Sequence, residues 1–219
     1  MIEVEVRSLL LPTVEAKLSE KLERMHLYEV KDSQDAYYDT MHFDLLRHPQ
    51  TVFVRLRESH LLQFKFDEDQ ALRQRIACIE REFILSEDHL PERAHALFQT
   101  FLPTWQTTAT TWEEARTCNQ LIELARIDKK RTTYIDTTGL LIISIDQVAG
   151  LGTFVEIERN CEEGADIRTE EEHVHTFLQE IGGTSLNAGY FEMWLYRHNH
   201  SAYQFVPPRF RVGEELVSF

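Results

Sequence analysis

Charged residues in this chain recur two positions apart, and most such pairs carry one sign. Glu3 and Glu5 precede Arg7, Arg55 is followed by Arg57, and Lys65 stands two after Gln63. Glu80 is followed by Glu82, Lys129 by Arg131, Ser144 by Asp146, and Glu156 by Glu158. Neighbouring carboxylates repel and raise one another's pKa unless a cation sits between them. The Glu-x-Glu spacing therefore points to a hard divalent ion such as Mg²⁺ or Mn²⁺, which prefers oxygen ligands. Paired Arg and Lys point to an anion, and the guanidinium fork matches phosphate oxygens. A metal and a polyphosphate together satisfy both sets. Taken singly, an E-x-E or R-x-R on a strand is an ordinary solvated face whose ion pairs contribute little. The weight lies in the repetition of these pairs in phase with one strand after another.

The residues between the charges say what holds them. Ile2, Val4 and Val6 alternate with Glu3, Glu5 and Arg7, and period two predicts a strand over 2–11. Val54 and Leu56, Ile79 and Phe83, Ile143 and Ile145, and Val155 and Ile157 alternate in the same way with the other charged pairs. Thr51–Glu58 and Leu61–Phe66 read as a hairpin turning at Ser59-His60. Further strands are expected near 36–40, 75–85, 124–136, 140–148 and 154–159. Helical spacing marks a segment opening at Pro12-Thr13, with Val14, Leu18, Leu22 and Met25 on one side. It also marks 86–101, 169–181 (ended by Gly182-Gly183) and 190–198. Residues 104–120 read as loop and short helix. About eight strands in hairpin order without βαβ alternation make an antiparallel α+β protein, and eight such strands can close into a barrel. Helices packed outside would cover the apolar faces and leave the charges in a polar lumen.

The 219 residues carry a net charge of −14, which argues against nucleic acid and anionic membranes as partners. No apolar run reaches the roughly 20 residues that cross a bilayer. The opening residues resemble neither a signal nor a transit peptide, and Cys78, Cys118 and Cys161 form no C-x-x-C pair. A cytoplasmic protein with reduced thiols is expected. His173 with His175, and His198 with His200, have the wrong spacing for a helical metal site. Phe53 lies on the arginine face, where it could stack a substrate ring or fill core.

The same residues resemble the CYTH superfamily, the triphosphate tunnel metalloenzymes. Glu3-Val-Glu5-Val-Arg7 is similar to the E-x-E-x-K signature, with arginine in place of lysine. Tyr37-Tyr38-Asp39-Thr40 is similar to Y-[YF]-D-T. Val54-Arg55-Leu56-Arg57, Lys65, Glu80-Arg-Glu82, Lys129-Lys-Arg131, Ile145-Asp146-Gln-Val148 and Gly150-Leu-Gly152-Thr-Phe154-Val-Glu156-Ile-Glu158 continue the match over about residues 1–196. The resemblance implies an eight-stranded antiparallel tunnel in a domain of residues 1–198. The tail of 199–219 has no counterpart in it, reads as irregular, and is expected to plug or cover one tunnel mouth. It implies a small-molecule triphosphate as substrate and Mg²⁺ or Mn²⁺ as cofactor. Glu3, Glu5, Asp146, Glu156 and Glu158 would hold the metal. Arg7, Arg55, Arg57, Lys65, Lys129 and Arg131 would cradle the phosphates. Glu80 and Glu82 would hold a second metal or orient the attacking water, and Arg7 would offset charge on the leaving group. A triphosphatase is the leading expectation. A class IV-type adenylate cyclase, weakened by the missing His-Phe pair before Glu3, and a non-catalytic triphosphate-binding module are the alternatives.

Overall fold

The structure, a computed structural model, describes residues 2–66, 79–86, 89–161 and 166–213, with the side chains of Ile2, Glu3 and Arg209 excepted. Strand β1 spans Ile2–Leu9 and is followed by helix α1, Pro12–Leu22. Then come β2 (His26–Thr40), β3 (Phe53–Arg57), β4 (Leu61–Phe66) and β5 (Ile79–Ile84). Helices α2 (Glu92–Phe101) and α3 (Trp112–Cys118) lead to β6 (Leu121–Ile135), β7 (Leu141–Val148) and β8 (Gly152–Cys161). Helices α4 (Ile167–Glu180), α5 (Tyr190–His198) and α6 (His200–Tyr203) follow, with a 3₁₀ turn at Pro208–Phe210 after them. The eight strands form one antiparallel sheet in the order β1-β8-β7-β6-β2-β3-β4-β5, so the class is α+β, as the alternation implies.

The chain divides into two compact units. One combines the residues up to Ser33 with Asp128–Tyr190; the other combines Gln34–Ile127 with Phe191–Arg211. In the first unit, Val4 and Val6 of β1, Ile143 of β7, and Val155 and Ile157 of β8 are buried against Val14 and Leu18 of α1 and Val174 and Leu178 of α4. Burying such a side chain contributes about 1.5–3 kcal/mol. That is why Val4 and Val6 face the helices and Glu5 and Arg7 face away. In the second unit, Val54, Leu56, Leu62 and Phe64 pack against Leu90, Ala94, Phe98, Trp112 and Ala115. Both apolar faces thus meet helices, and Trp112 is a packing residue.

Several local expectations need correction. β2 begins at His26, ten residues before the short strand expected at 36–40. Its first half, including Leu27, Tyr28 and Val30, is exposed, so no in–out alternation marks it in the sequence. Helix α2 starts at Glu92, not Ser86, because Pro91 disfavours helical geometry in the residue before it. Leu90 N–H instead donates to Thr110 O at 2.9 Å. Of the strand expected at 75–85, residues 75–78, including Cys78, lie outside the described residues. The stretch after His198, expected as a tail, contains helix: α6 is capped by Asn199, whose side chain accepts from Ala202 N–H. Phe205 stacks on Phe43, and Val206 is fully buried. Helix α4 ends as expected at the two glycines. Gly182 takes a positive φ of 75°, Gly183 N–H reaches Leu178 O and Gly182 N–H reaches Gln179 O, both at 2.9 Å. No helix among the described residues is long and apolar enough to cross a membrane.

Candidate functional site

The polar face of the first unit is built by strand register. Arg7 lies opposite Glu156, and Glu5 opposite Glu158, across β1 and β8. Ser144 lies opposite Glu156 across β7 and β8, and Arg131 opposite Asp146 across β6 and β7. Alternation puts these side chains on the face opposite α1 and α4.

Arg7 donates from Nε to Glu156 Oε1 at 2.6 Å. Its Nη2 also pairs with Glu156 and reaches Glu5 Oε1 at 3.5 Å. Arg131 forks onto Asp146, with Nε to Oδ1 at 2.7 Å and Nη2 to Oδ2 at 2.6 Å, and also contacts Glu156. Lys129 Nζ stands 3.5 Å from Asp146 Oδ2. Burial alone would raise the Glu156 carboxyl, but Arg7, Arg131 and Lys129 outweigh it and hold it well below the usual carboxylate range. Burial likewise opposes the Arg7 and Arg131 charges, and the neighbouring carboxylates more than restore them. Both arginines stay cationic across the physiological range. They can act by charge and hydrogen bonding, not by proton transfer.

One residue of this cluster lay outside the charge pattern. Tyr190 donates its hydroxyl to Asp146 Oδ2 at 2.9 Å. The Arg7 guanidinium carbon sits 4.3 Å from its ring centroid, Lys129 Nζ 5.5 Å away, and Phe154 packs edge-on at 5.1 Å. Burial, then Glu156, push the phenol well above its ordinary range, so it remains a donor. The chain after α4 brings it there: Thr184 N–H donates to Ser8 Oγ and Leu186 N–H to Arg7 O, so this segment runs beside β1. No spacing rule could have found Tyr190, since its contacts depend on that return path.

The residues expected to hold metal divide into two kinds. Asp146 and Glu156 are already engaged by arginine, lysine and tyrosine. Glu5 and Glu158 stand directly opposite each other on neighbouring strands, a like-charge register that is unfavourable without a cation nearby. This donor set fits a hard divalent ion. Glu3 lies opposite Asn160 in the same ladder, with its side chain outside the described residues. Among the described residues no three Asp, Glu, His or Cys side chains form a ready-made cage.

The second unit carries its own cluster. Across β2, β3, β4 and β5 the register sets Asp35 opposite Arg57, Tyr37 opposite Arg55, Arg55 opposite Gln63, Gln63 opposite Glu82 and Lys65 opposite Glu80. Buried Asp35 receives Arg57 Nε at 2.9 Å and Nη2 at 3.2 Å, and Arg55 Nη1 at 3.3 Å. Lys65 Nζ lies 3.3 Å and Arg55 Nη2 3.4 Å from Glu80. Burial disfavours the Arg55 charge, but Tyr37, Asp35 and Glu80 raise its pKa above the ordinary arginine value. Tyr37 stacks on Phe191 at 4.3 Å, and Phe53 meets Phe191 at 5.6 Å and Phe210 at 6.0 Å. Phe53 is therefore packed among aromatics beside the arginines, and the segment after His198 supplies one of them. Asp35 went unmarked in the sequence, and Gln63 entered only as the uncharged neighbour of Lys65: neither sits in a like-charged pair, and each acts by bracing arginines.

A model of the CYTH domain matches residues 1–189. No curated protein sequence matches the chain significantly. Among solved structures, PH1819 from Pyrococcus horikoshii OT3 is similar with a TM-score of 0.64 at 21% identity, covering 90% of this chain and 99% of that one. HpAC1 from Hippeastrum, an adenylyl cyclase candidate described as having a dominant triphosphatase activity, is similar with a TM-score of 0.53 at 20% identity, over 90% and 94% of the two chains. At these identities the likeness is one of fold.

Proposed function

Because the chain belongs to the CYTH family, we propose that it is a divalent-metal-dependent triphosphatase, cleaving a triphosphate to diphosphate and phosphate. The observation that carries this reading is the β1–β8 ladder. There two opposed carboxylates, Glu5 and Glu158, adjoin the cations Arg7 and Arg131 that Glu156 and Asp146 hold in place. One part of that face suits a metal and the adjoining part suits phosphate oxygens.

In this reading Glu5 and Glu158 hold the Mg²⁺ or Mn²⁺, with Glu3 joining them as the resemblance implies. Such an ion, when bound, would supply positive charge against the phosphates. Asp146 and Glu156 serve mainly to aim cations. Arg7, Lys129 and Arg131 of the first unit would contact phosphate oxygens, and the family resemblance gives Arg55, Arg57 and Lys65 of the second unit a phosphate-binding role as well. Arg7, fixed by Glu156 and by the Tyr190 ring, offsets charge as the phosphoryl group leaves. Glu80 or Glu82 accepts a hydrogen bond from the attacking water. Phosphoryl transfer passes through a loose transition state governed by position and charge, so no protein nucleophile is needed. The activity described for HpAC1 supports hydrolysis over cyclisation.

The test is to incubate the purified protein with tripolyphosphate, thiamine triphosphate and ATP, each with Mg²⁺ or Mn²⁺, and to identify the products. Orthophosphate is expected. Glu158→Gln and Arg57→Ala should each lower its release by about 10²-fold or more; Glu158→Gln should leave the melting curve in place, whereas Arg57→Ala, which takes two donors from buried Asp35, should also melt lower. Unchanged turnover in both variants would refute the site. Cyclic AMP as product would favour a cyclase, and binding without turnover a non-catalytic module.

A further inference from the structure

The face shared by β3, β4 and β5 is organised around an uncharged residue. Gln63 lies opposite Arg55 on one side and Glu82 on the other, and only 1% of it is exposed. Its Oε1 accepts from Arg55 Nε at 2.7 Å. Its Nε2 donates to Glu80 Oε1 at 2.9 Å and also to Glu82. The amide can point only one way. Arginine donates and never accepts, ionised carboxylates accept and never donate, so the oxygen faces β3 and the nitrogen faces β5.

Two carboxylates a dipeptide apart on one strand invite a cation between them. Here that gap holds an NH₂ group, which offers one proton to each carboxylate and adds no charge. The remaining cations approach Glu80 from elsewhere, Lys65 at its Oε2 and Arg55 at its Oε1. A divalent ion bridging Glu80 and Glu82 would have to expel the amide. That would leave a buried polar group unsatisfied and the Arg55 Nε without its acceptor.

We propose that Gln63 is a positioning residue whose amide keeps Glu80 and Glu82 as hydrogen-bond acceptors, withholds them from divalent metal, and aims Arg55 for anion binding. This rests on the reading of the chain as a triphosphate-binding protein. It removes β5 as a second metal site and gives Arg55 a fixed direction, since Nε is tied to Gln63 at 2.7 Å while Nη1 and Nη2 make longer contacts, 3.3 Å to Asp35 and 3.4 Å to Glu80.

The test counts Mn²⁺ bound per chain, by equilibrium dialysis with electron paramagnetic resonance detection, in the absence of any substrate. Glu82→Gln in the native background should leave the count unchanged. Gln63→Glu, which replaces the NH₂ donor with an acceptor, should add one Mn²⁺ per chain, and adding Glu82→Gln to it should remove that ion. Gln63→Leu should raise KM for tripolyphosphate about 10-fold by releasing Arg55, with a smaller effect on kcat. Melting curves check each variant's fold. A lower count in Glu82→Gln alone, or a folded Gln63→Glu that gains no ion, would overturn the proposal. If Gln63→Glu does not fold, the Glu82→Gln count decides. Native protein that turns over no triphosphate would refute the function proposed above, while the metal counts would still judge Gln63.

Discussion

Tyr190 offers the sharpest check on the first cluster, because its ring and its hydroxyl do different work and can be removed separately. Tyr190→Phe deletes only the hydrogen bond to Asp146 Oδ2, 2.9 Å long and aimed at a fully buried carboxylate. A bond to a charged acceptor contributes about 1.5–3 kcal/mol. Asp146 retains the Arg131 fork, so the lower end applies and the expected loss is about 1.5 kcal/mol. Tyr190→Leu also removes the surface on which Arg7 lies at 4.3 Å and the edge contact with Phe154 at 5.1 Å. Those contribute about 1 kcal/mol each in a desolvated setting, taking the total to about 3.5 kcal/mol.

For a chain of this length 1 kcal/mol moves Tm by about 2–4 °C. Tyr190→Phe should therefore melt about 3–6 °C below the native protein, and Tyr190→Leu about 7–14 °C below, by circular dichroism at constant pH and salt. A Tyr190→Phe protein that melts with the native one, beside a strongly destabilised Tyr190→Leu, would leave the stack in place and refute the hydroxyl's role. Two variants that both melt like the native protein would refute the whole account of how Arg7 and Asp146 are held.

Glu156→Gln should cost about 3–5 kcal/mol in urea denaturation, since it strips Arg7 and Arg131 of a buried counter-charge. Glu156 is depressed in the folded state, so its contribution is full above its unfolded pKa of about 4.3 and is lost as pH falls below that value; the acid limb of a Tm–pH curve should flatten in Glu156→Gln. Asp39→Ala should cost about 2–4 kcal/mol in the same assay, because the Asp39 carboxylate accepts from the N–H groups of Thr40, Leu45 and Leu46 at 2.7, 2.9 and 3.0 Å. His95, buried, accepts from Trp105 Nε1 at 3.0 Å and donates to Ala109 O at 3.1 Å, and burial, reinforced by His89 and opposed by the Ala109 bond and Glu92, lowers its pKa. The neutral ring is the folded form, so stability should fall as pH drops below about 6.5, and a Tm series between pH 7.5 and 5.5 should show a smaller drop in His95→Gln.

The strands that carry charge on one face and aliphatic groups on the other were legible because both faces are under constraint. Val4, Val6, Val155 and Ile157 had to meet helices, which fixed the phase of Glu5, Arg7, Glu156 and Glu158 with no further information. The first half of β2 faces no such demand. Leu27, Tyr28 and Val30 are exposed there, so hydrogen bonding alone makes the strand and the composition is silent. The division of labour among the acids was equally hidden. Glu5, Asp146 and Glu156 look alike as paired carboxylates, yet Asp146 and Glu156 are gripped at short range by donors from β6, β1 and α5, whereas Glu5 has a 3.5 Å contact with Arg7 and lies opposite another acid. Register decides this, and register depends on loop lengths and bulges that a residue pattern does not record.

The arginine at position 7, which departs from the E-x-E-x-K signature, has a local explanation. A lysine offers one ammonium that rotates freely and suits a single phosphate oxygen. Arg7 instead meets Glu156 through both Nε and Nη2, extends toward Glu5, and lays its plane on Tyr190. Only a planar, forked cation can make all of these contacts at once. The aromatic that accommodates the plane comes from the start of α5, and its hydroxyl secures the carboxylate that aims Arg131. Arg7 and Tyr190 are therefore best understood as one unit: the residue that departs from the signature and the one that no pattern predicted support each other, and through Asp146 they reach the next cation of the ladder.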